Sequence, residues 1–237
     1  MNRLNFLPNP ITSSGSFAGI DIAEYYKSNL EKMPADWHYR TKEIYYKTNK
    51  LNYRTDEFRN ISWEDSVVVF GCSNAFGVGL AEDETITHQL SLLLGCPVIN
   101  MGAGGTSMMF SLYNQLVLHN IKQPKAIVNM WTGMERLTIF NKESVVNVNA
   151  HSQSNFSKEL FKLWNFYPTH SLSFSLMLQQ MSVALWKDIP HVEVTFFEST
   201  ANDLNCKFLS WDDKARDLMH PGPVTTLNAA KSIAKRL

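Results

Sequence analysis

Three residue types that together support nucleophilic catalysis occur in two short motifs of the chain. Ser73 lies in GCSNAFG, residues 71–77, directly after an apolar run, and Asp217 and His220 have D-x-x-H spacing. A serine hydroxyl is a weak nucleophile at neutral pH and needs a base, which a histidine imidazole supplies. An aspartate three residues earlier can accept the Nδ1 proton and orient that imidazole. The pattern predicts acyl transfer with Ser73 as nucleophile, His220 as base and Asp217 as the orienting acid.

A glycine-rich turn follows the second predicted strand, with the sequence NMGAGGTS over residues 100–107. Backbone N–H groups at glycines can approach the oxygen that becomes negative in a tetrahedral intermediate. We expect backbone N–H groups at glycines after Ser73 and at Gly105 to form such an oxyanion hole. A dinucleotide site is less favoured, because the first strand lacks the G-x-G-x-x-G pattern.

Elements that position these residues begin at residue 67, where short β-rich apolar runs alternate with segments of helical periodicity. This alternation is typical of a parallel sheet covered by helices on both faces. The predicted strands cover residues 67–70, 97–101, 126–131, 192–198 and 207–211. The predicted helices cover residues 84–94, 107–120 and 173–187, and a last helix starts near residue 223. The fold class predicted is α/β, a three-layer α/β/α sandwich with a five-stranded parallel sheet.

Two regions fall outside this alternation. Residues 1–65 are aromatic and polar, and we expect them to form an N-terminal extension packed on an α/β domain of residues 66–237. A helix is predicted near residues 22–33, and the YYKTNKLNYRTDEF stretch suggests a hairpin. Residues 138–172 are rich in Asn, Ser and aromatic residues with little periodicity, which predicts a long surface excursion that shapes a site.

The motifs resemble those of the SGNH (GDSL-like) hydrolase superfamily. GCSNAFG corresponds to its nucleophile block, NMGAGG to its second block and DLMHPG to its terminal D-x-x-H block. The resemblance implies a flavodoxin-like SGNH hydrolase fold and a serine esterase in which Ser73, Asp217 and His220 are catalytic. It also implies three oxyanion donors. They are the N–H of Ser73, the N–H of a second-block glycine, with Gly105 favoured over Gly102, and an Asn side chain after the third strand.

The third block departs from this family pattern, because WTGME at residues 131–135 has no Asn at the expected place. Two alternatives stay open: the hole has only two donors, or another side chain replaces the Asn. The candidates for replacement are Asn74, Asn100 and Thr132, and Asn129 if the register of the third strand differs. Asn74, Asn100 and Thr132 are also candidates for substrate binding, as are Glu135 and Arg136, which follow the third strand. Three roles are open for Glu135 and Arg136: binding of an acidic substrate group, support of the site, or a structural ion pair.

Within the superfamily, the resemblance admits ester hydrolysis, thioester hydrolysis, acyl transfer and carbohydrate O-deacetylation. The long N-terminal segment, the GCS variant and the MHPGP ending resemble SGNH proteins of bacteria and their phages, which favours an acylated glycan as substrate. The alternative is a non-catalytic binding or structural module, such as a virion or surface component, that retains the fold. The missing Asn of the third block supports that alternative.

Composition excludes several other classes of function. Lys and Arg number 22, as do Asp and Glu, so no net charge attracts nucleic acid. We find neither a signal peptide nor a membrane span, which predicts a cytoplasmic or virion-associated protein. Three cysteines without a C-x-x-C pair argue against a disulfide scaffold. The histidine spacings match no metal motif, so neither a metal nor another cofactor is expected.

Less specific interpretations stand beside the catalytic ones. Instead of acting as a nucleophile, Ser73 could cap the helix that follows the first strand. Cys72 is a second candidate nucleophile, but we expect it to be buried. Asp217 could form an ion pair with Arg216 or Lys214. Six aromatic residues are candidates for either a substrate pocket or the core: Trp131, Phe140, Trp164, Phe166, Tyr167 and Trp211.

Overall fold

The computed structural model describes residues 5–13, 15–140 and 145–237, and a five-stranded parallel sheet forms its centre. The strands are β1 (Val67–Gly71), β2 (Val98–Gly102), β3 (Ala126–Trp131), β4 (Leu137–Phe140), β5 (Val145–Val148), β6 (His191–Thr195) and β7 (Lys207–Phe208). The helices are α1 (Ala23–Lys32), α2 (Ser73–Phe76), α3 (Ile86–Leu94), α4 (Met108–His119), α5 (Asn155–Phe166), α6 (Pro168–Leu185), α7 (Glu198–Leu204) and α8 (Pro223–Ala234). The parallel sheet has the order β2-β1-β3-β6-β7, and β4 pairs with β5 in a separate antiparallel sheet.

Successive side chains of β1 enter two different cores. Val67 and Val69 pack with residues of α3 and α8 on one face of the sheet. Val68 and Phe70 pack on the other face, with residues of α4. Because side chains of a strand alternate between faces, an unbroken apolar strand requires cover on both sides. The predicted three-layer α/β/α sandwich is therefore confirmed.

Two local predictions about the flanking regions are wrong. No strand is present over residues 45–58, so the predicted hairpin does not form. The described part of residues 138–172 is not an irregular excursion, because it contains the β4–β5 pair, α5 and the start of α6. Residues 1–4, 14 and 141–144, which belong to the predicted extension and excursion, lie outside the described residues. In the described part of the chain, no helix has the combined length and apolarity needed to cross a bilayer.

The N-terminal segment contacts the turns that follow β1 and β2. Asn9 Nδ2 donates to the Gly102 carbonyl (3.1 Å), and its Oδ1 accepts the N–H of Gly104 (3.2 Å). The Ile11 side chain packs where a Cβ on Gly104 would lie, 2.1 Å from its Cδ1. These contacts hold residues 9–11 against the glycine-rich turn.

A buried ion pair joins the N-terminal segment to the D-x-x-H region. Arg216 Nη2 lies 2.7 Å from Asp21 Oδ2, Arg216 Nε lies 3.1 Å from Asp21 Oδ1, and both side chains are at most 5% exposed. The Tyr46 hydroxyl donates to Asp21 Oδ2 (2.7 Å). Burial, and next the Asp21 charge, raise the pKa of Tyr46, so its hydroxyl stays a neutral donor. The pair fixes the backbone of Arg216, the residue before Asp217.

Asp21→Asn is expected to destabilise the fold by about 3–5 kcal/mol, because it leaves the buried Arg216 guanidinium without a counter-charge. Urea unfolding followed by circular dichroism measures this free energy. Asp56→Asn is the matched control, since Asp56 and its partner Lys47 are 75% and 82% exposed and 3.9 Å apart. That control should change stability by less than about 0.5 kcal/mol. Equal stabilities for the two variants would contradict the role assigned to the buried pair.

Candidate functional site

A cavity of about 450 Å³ lies beyond the carboxyl ends of β1 and β2, where the chain leaves the sheet. In open α/β sheets this edge is the usual place for a ligand. The lining residues come from the N-terminal segment, from the turns after β1, β2 and β3, from the region after β5 and from the C-terminal part of the chain. They include Ile11, Ser73, Asn74, Gly104, Gly105, Arg136, Asn147, Asn149, His151, Ser152, Phe197, Trp211, Met219 and His220.

Ser73 is the first residue of α2 and lines this cavity. The N-cap of α2 is Cys72, and no side chain caps the helix, so the alternative of Ser73 as an N-cap is wrong. Within the described residues, Ser73 Oγ has no hydrogen-bond partner. Cys72 is 2% exposed and is not part of the cavity wall, so of these two side chains only the Ser73 hydroxyl reaches the cavity.

The D-x-x-H segment forms a tight turn held by the Asp217 carboxylate. Asp217 Oδ1 accepts the N–H groups of Met219 (3.0 Å) and His220 (3.1 Å), and Oδ2 lies 2.5 Å from His220 Nδ1. A carboxylate only accepts hydrogen bonds, so His220 Nδ1 donates and Nε2 is the unprotonated nitrogen of the neutral ring. The alternative pairing of Asp217 with Arg216 does not occur, because Arg216 binds Asp21.

Leu218, between Asp217 and His220, has a left-handed backbone with φ of 59°. A non-glycine residue reaches this region only where its surroundings compensate a strain of about 1–3 kcal/mol. Here Leu218 N–H donates to the Ala215 carbonyl, and Ala215 N–H donates to the His220 carbonyl, both at 2.9 Å. The strained turn folds the Asp217 side chain back beneath the imidazole.

Ser73 and His220 line the same cavity, although they are 147 positions apart in the chain. No hydrogen bond joins Ser73 Oγ to His220 Nε2 in this structure. Catalytic hydrogen bonds are often long in ligand-free structures and shorten when substrate binds. The structure therefore brings together the three residues that the motifs predicted, with the Asp217–His220 half of the arrangement already formed.

The two candidate glycines of the second block occupy different environments. Gly102 N–H donates to Asn100 Oδ1 (2.9 Å), and a Cβ at Gly102 would lie 2.3 Å from the Phe76 nitrogen. Gly102 therefore permits close packing of α2 on β2, and its N–H is not available to a ligand. Gly105 has φ of +71°, lines the cavity, and its N–H has no partner among the described residues. Of these two glycines, only Gly105 therefore presents a backbone N–H without a described partner in the cavity wall.

Three further side chains proposed for substrate binding or for the oxyanion hole lie outside the cavity wall. Asn100 is buried, and its Nδ2 donates to the Ala75 carbonyl (2.9 Å), which ties α2 to β2. Thr132 is buried at 3% exposure. Asn129 is buried within β3 and donates to Ser182 Oγ (2.8 Å). Asn74 is the one polar candidate from this group that lines the cavity.

The β4–β5 pair supplies two asparagines that the sequence patterns did not reveal. Asn147, on β5, lines the cavity, and its Oδ1 accepts the Thr138 hydroxyl (2.8 Å), which in turn contacts Ser107 Oγ (2.7 Å). Asn147 Nδ2 has no partner among the described residues. Asn149 Nδ2 donates to the Gly105 carbonyl (2.9 Å) and so fixes the orientation of that peptide. Both residues lie within the segment that was predicted to be irregular.

Of the acidic and basic candidates after β3, Arg136 lines the cavity and Glu135 does not. Arg136 Nε lies 3.4 Å from Glu135 Oε1, and the guanidinium lies 5.7 Å from the centre of the Phe197 ring. Of the six aromatic candidates, Trp211 lines the cavity, whereas Trp131 is buried in the core beside α4 and α6. Phe197, which the sequence analysis did not single out, also lines it.

No group of three His, Cys, Asp or Glu side chains in the described ranges is arranged to hold a metal ion. The site consists of a hydroxyl, an imidazole held by a carboxylate, backbone N–H groups and side-chain amides. This set of groups supports proton transfer and attack on a carbonyl carbon.

No family model matches the chain, and no curated protein matches it. Solved structures do show similarity. An acetyl xylan esterase from the rumen bacterium Butyrivibrio proteoclasticus is 13% identical with a TM-score of 0.45, over 74% of this chain and 63% of that one. A putative lipolytic protein of the G-D-S-L family from Desulfitobacterium hafniense is 11% identical with a TM-score of 0.48, over 73% of this chain and 100% of that one.

A carbohydrate esterase family 2 enzyme with a carbohydrate-binding domain, from Corynascus thermopiles (Myceliophthora fergusii), is 11% identical with a TM-score of 0.45. The match covers 72% of this chain and 64% of that one. The chain thus spans less than two thirds of the acetyl xylan esterase and of the family 2 enzyme. At these identities, and with TM-scores below 0.5, the activity has to be inferred from the site itself.

Proposed function

We propose that the chain is a serine ester hydrolase of the SGNH type. One observation carries this proposal: Ser73 and an imidazole held by Asp217 face the same cavity at the carboxyl edge of the sheet. The accessible Oγ of Ser73 is the nucleophile, His220 is the base, and Asp217 fixes the tautomer that leaves Nε2 free to accept a proton.

Acylation begins when Ser73 Oγ attacks the ester carbonyl carbon and its proton passes to His220 Nε2. The carbonyl π electrons move to the oxygen, which forms a tetrahedral intermediate with a negative charge. As the intermediate collapses, the C–O bond to the alcohol breaks, and the imidazolium gives its proton to the departing oxygen. The products of this half-reaction are acyl-Ser73 and the free alcohol.

Deacylation repeats the sequence with water as the nucleophile. His220 Nε2 removes a proton from a water molecule as that water attacks the acyl carbon. The second intermediate releases Ser73 Oγ, which takes the proton back from His220, and the carboxylic acid leaves. The Asp217 carboxylate stabilises the imidazolium in both half-reactions and is not itself protonated.

Three N–H donors stabilise the negative oxygen in this proposal. Two are the backbone N–H groups of Ser73 and Gly105, and the third is Asn147 Nδ2. Asn147 takes the place of the missing family Asn, because Thr138 occupies its Oδ1 and leaves its amide N–H groups for the cavity. Donors fixed in advance stabilise developing charge without reorganisation during the reaction.

Asn147→Ala is expected to lower kcat by about 100- to 1,000-fold with little change in KM, since it removes one donor to the intermediate. Steady-state kinetics on a chromogenic acetyl ester measures both parameters. Asn120→Ala is the matched control, because Asn120 is exposed and lies outside the cavity wall. A normal kcat for Asn147→Ala would remove Asn147 from the oxyanion hole.

We further propose an acylated polyhydroxy compound, such as a glycan O-ester, as the substrate class. Its support is that three asparagines, Asn74, Asn147 and Asn149, and the ring of Trp211 line one cavity. Amide groups are suited to hydroxyl groups, and an aromatic face is suited to the apolar face of a sugar ring.

The test of the proposed activity is hydrolysis of chromogenic esters that carry short and long acyl chains, together with release of acetate from acetylated polysaccharides. We expect turnover of short acyl esters. If no ester in the panel is hydrolysed, the proposal fails, and the non-catalytic binding module becomes the better interpretation.

A further inference from the structure

Arg136 is the one lysine, arginine, aspartate or glutamate among the described residues that line the cavity. The Arg136 side chain is 15% exposed, so the protein covers most of its surface. A charged group so placed loses much of its hydration and interacts strongly with a ligand charge nearby. The proposed hydrolysis leaves this charge without a role.

The charge of Arg136 is only partly compensated by the protein. Its described polar contact is from Nε to Glu135 Oε1, at 3.4 Å, and Glu135 is 40% exposed to solvent. Neither Nη atom has a hydrogen-bond partner among the described residues. The Nη groups of an arginine form a planar fork that matches the two oxygens of a carboxylate or the oxygens of a phosphate. The donors suited to an oxyanion are therefore unoccupied.

The surroundings hold the Arg136 region in place. Asn165 Nδ2, from α5, donates to the Glu135 carbonyl (3.2 Å), and the guanidinium lies 5.7 Å from the centre of the Phe197 ring. Phe197 itself lines the cavity. A guanidinium held by an aromatic ring and a supported backbone loses less freedom when it binds a ligand.

We propose that Arg136 binds an anionic group on the ester substrate, so that the enzyme prefers acidic esters over neutral ones of similar size. The anion is a carboxylate or phosphate carried on the acyl or on the alcohol part. This inference rests on the proposed function, because the preference is expressed through turnover at Ser73.

Two pairs of esters test the preference on either side of the scissile bond. Para-acetoxybenzoate against its methyl ester places the charge on the alcohol side. Mono-para-nitrophenyl glutarate against para-nitrophenyl valerate places it on the acyl side. The quantity measured is kcat/KM for the anionic ester divided by that for the neutral one, compared between wild type and variants, which cancels the intrinsic reactivity of each ester.

In at least one pair, Arg136→Gln should lower this ratio by about 10- to 100-fold, the effect of losing a charge-assisted hydrogen bond. The kcat/KM for the neutral ester should stay within a few fold, and Arg136→Lys should restore part of the ratio. Arg59→Gln is the matched control, because Arg59 is exposed and outside the cavity wall. It should leave the ratio unchanged.

The outcomes separate this inference from the proposed function. If the wild type hydrolyses neutral esters and the ratio is unchanged in Arg136→Gln for both pairs, the anion site is wrong and the esterase proposal stands. An equal loss on anionic and neutral esters would show a structural role and would also overturn it. If no ester is hydrolysed, calorimetric titration with benzoate and benzamide decides: tighter binding of benzoate, lost in Arg136→Gln, supports the anion site, and equal binding overturns it.

Discussion

Ser73→Ala is expected to lower ester turnover by about 10⁴- to 10⁶-fold, the range seen when a serine nucleophile is removed from a triad. The variant lacks the oxygen that forms the acyl bond. The imidazole and the N–H donors can then promote only direct attack of water on the bound ester. Because Ser73 Oγ has no hydrogen-bond partner among the described residues, the fold should keep its stability. Steady-state kinetics and thermal unfolding measure the two quantities.

Two matched variants control for this result. Ser173→Ala removes a hydroxyl from an exposed serine outside the cavity wall, and Cys72→Ala removes the neighbouring thiol, which is buried. Both are expected to retain turnover within about tenfold, since neither supplies the attacking atom. Turnover by Ser73→Ala equal to that of these controls would exclude Ser73 as the nucleophile.

Asp217→Asn is the second large effect, with an expected loss of about 10⁴-fold in kcat. The Asn oxygen can still accept the N–H groups of Met219 and His220, so the turn should persist. The Asn nitrogen, however, donates toward His220 Nδ1 and favours the tautomer whose Nε2 carries the proton. Such an imidazole cannot accept a proton from Ser73. Kinetics on the acetyl ester, with circular dichroism as the check of folding, measures this.

The control for that variant is Asp188→Asn. Asp188 is exposed and has no ion pair among the described residues, so this variant should have the kcat of the wild type. The double variant Ser73→Ala with Asp217→Asn should be no slower than Ser73→Ala alone, because the three residues act as one unit. A near-normal kcat for Asp217→Asn, or full additivity in the double variant, would separate Asp217 from the mechanism.

Local patterns in the sequence were sufficient to predict the central sheet. An unbroken apolar run such as that of β1 is stable only between two helical layers, so its neighbours follow from the alternation of strands and helices. The strand after α6 was predicted to reach residue 198 but ends at Thr195. The chain turns there into α7, whose seven residues are too few to show a clear helical periodicity in the sequence.

The D-x-x-H turn was also predictable, because the contacts of the Asp217 carboxylate with Met219 and His220 lie within four residues. The donors of the proposed oxyanion hole were harder to predict from the sequence. Gly102 and Gly105 have the same side chain, and only the packing of α2 on β2 shows that the Gly102 N–H is already used. Asn147 lies on a four-residue strand whose pairing with β4 gives little periodic signal.

Contacts between side chains that are far apart in the sequence could not be predicted from it. Asp21 and Arg216 are 195 positions apart, and nothing in the residues around either one indicates the other. Asn100 was a candidate for ligand binding because it lies near the end of a strand, beside the glycine-rich turn. Its amide instead satisfies the backbone of α2, since a buried carbonyl needs a donor. Interactions of this kind depend on the assembled fold.

The most direct test of the central claim is labelling with a fluorophosphonate, which reacts with an activated serine and leaves a stable adduct. Peptide mass spectrometry of the labelled wild type should find one adduct, on Ser73, and the His220→Ala variant should react at a rate lower by orders of magnitude. An adduct on any other residue, or labelling of the Ser73→Ala variant at the wild-type rate, would contradict the assignment of Ser73 as the attacking residue.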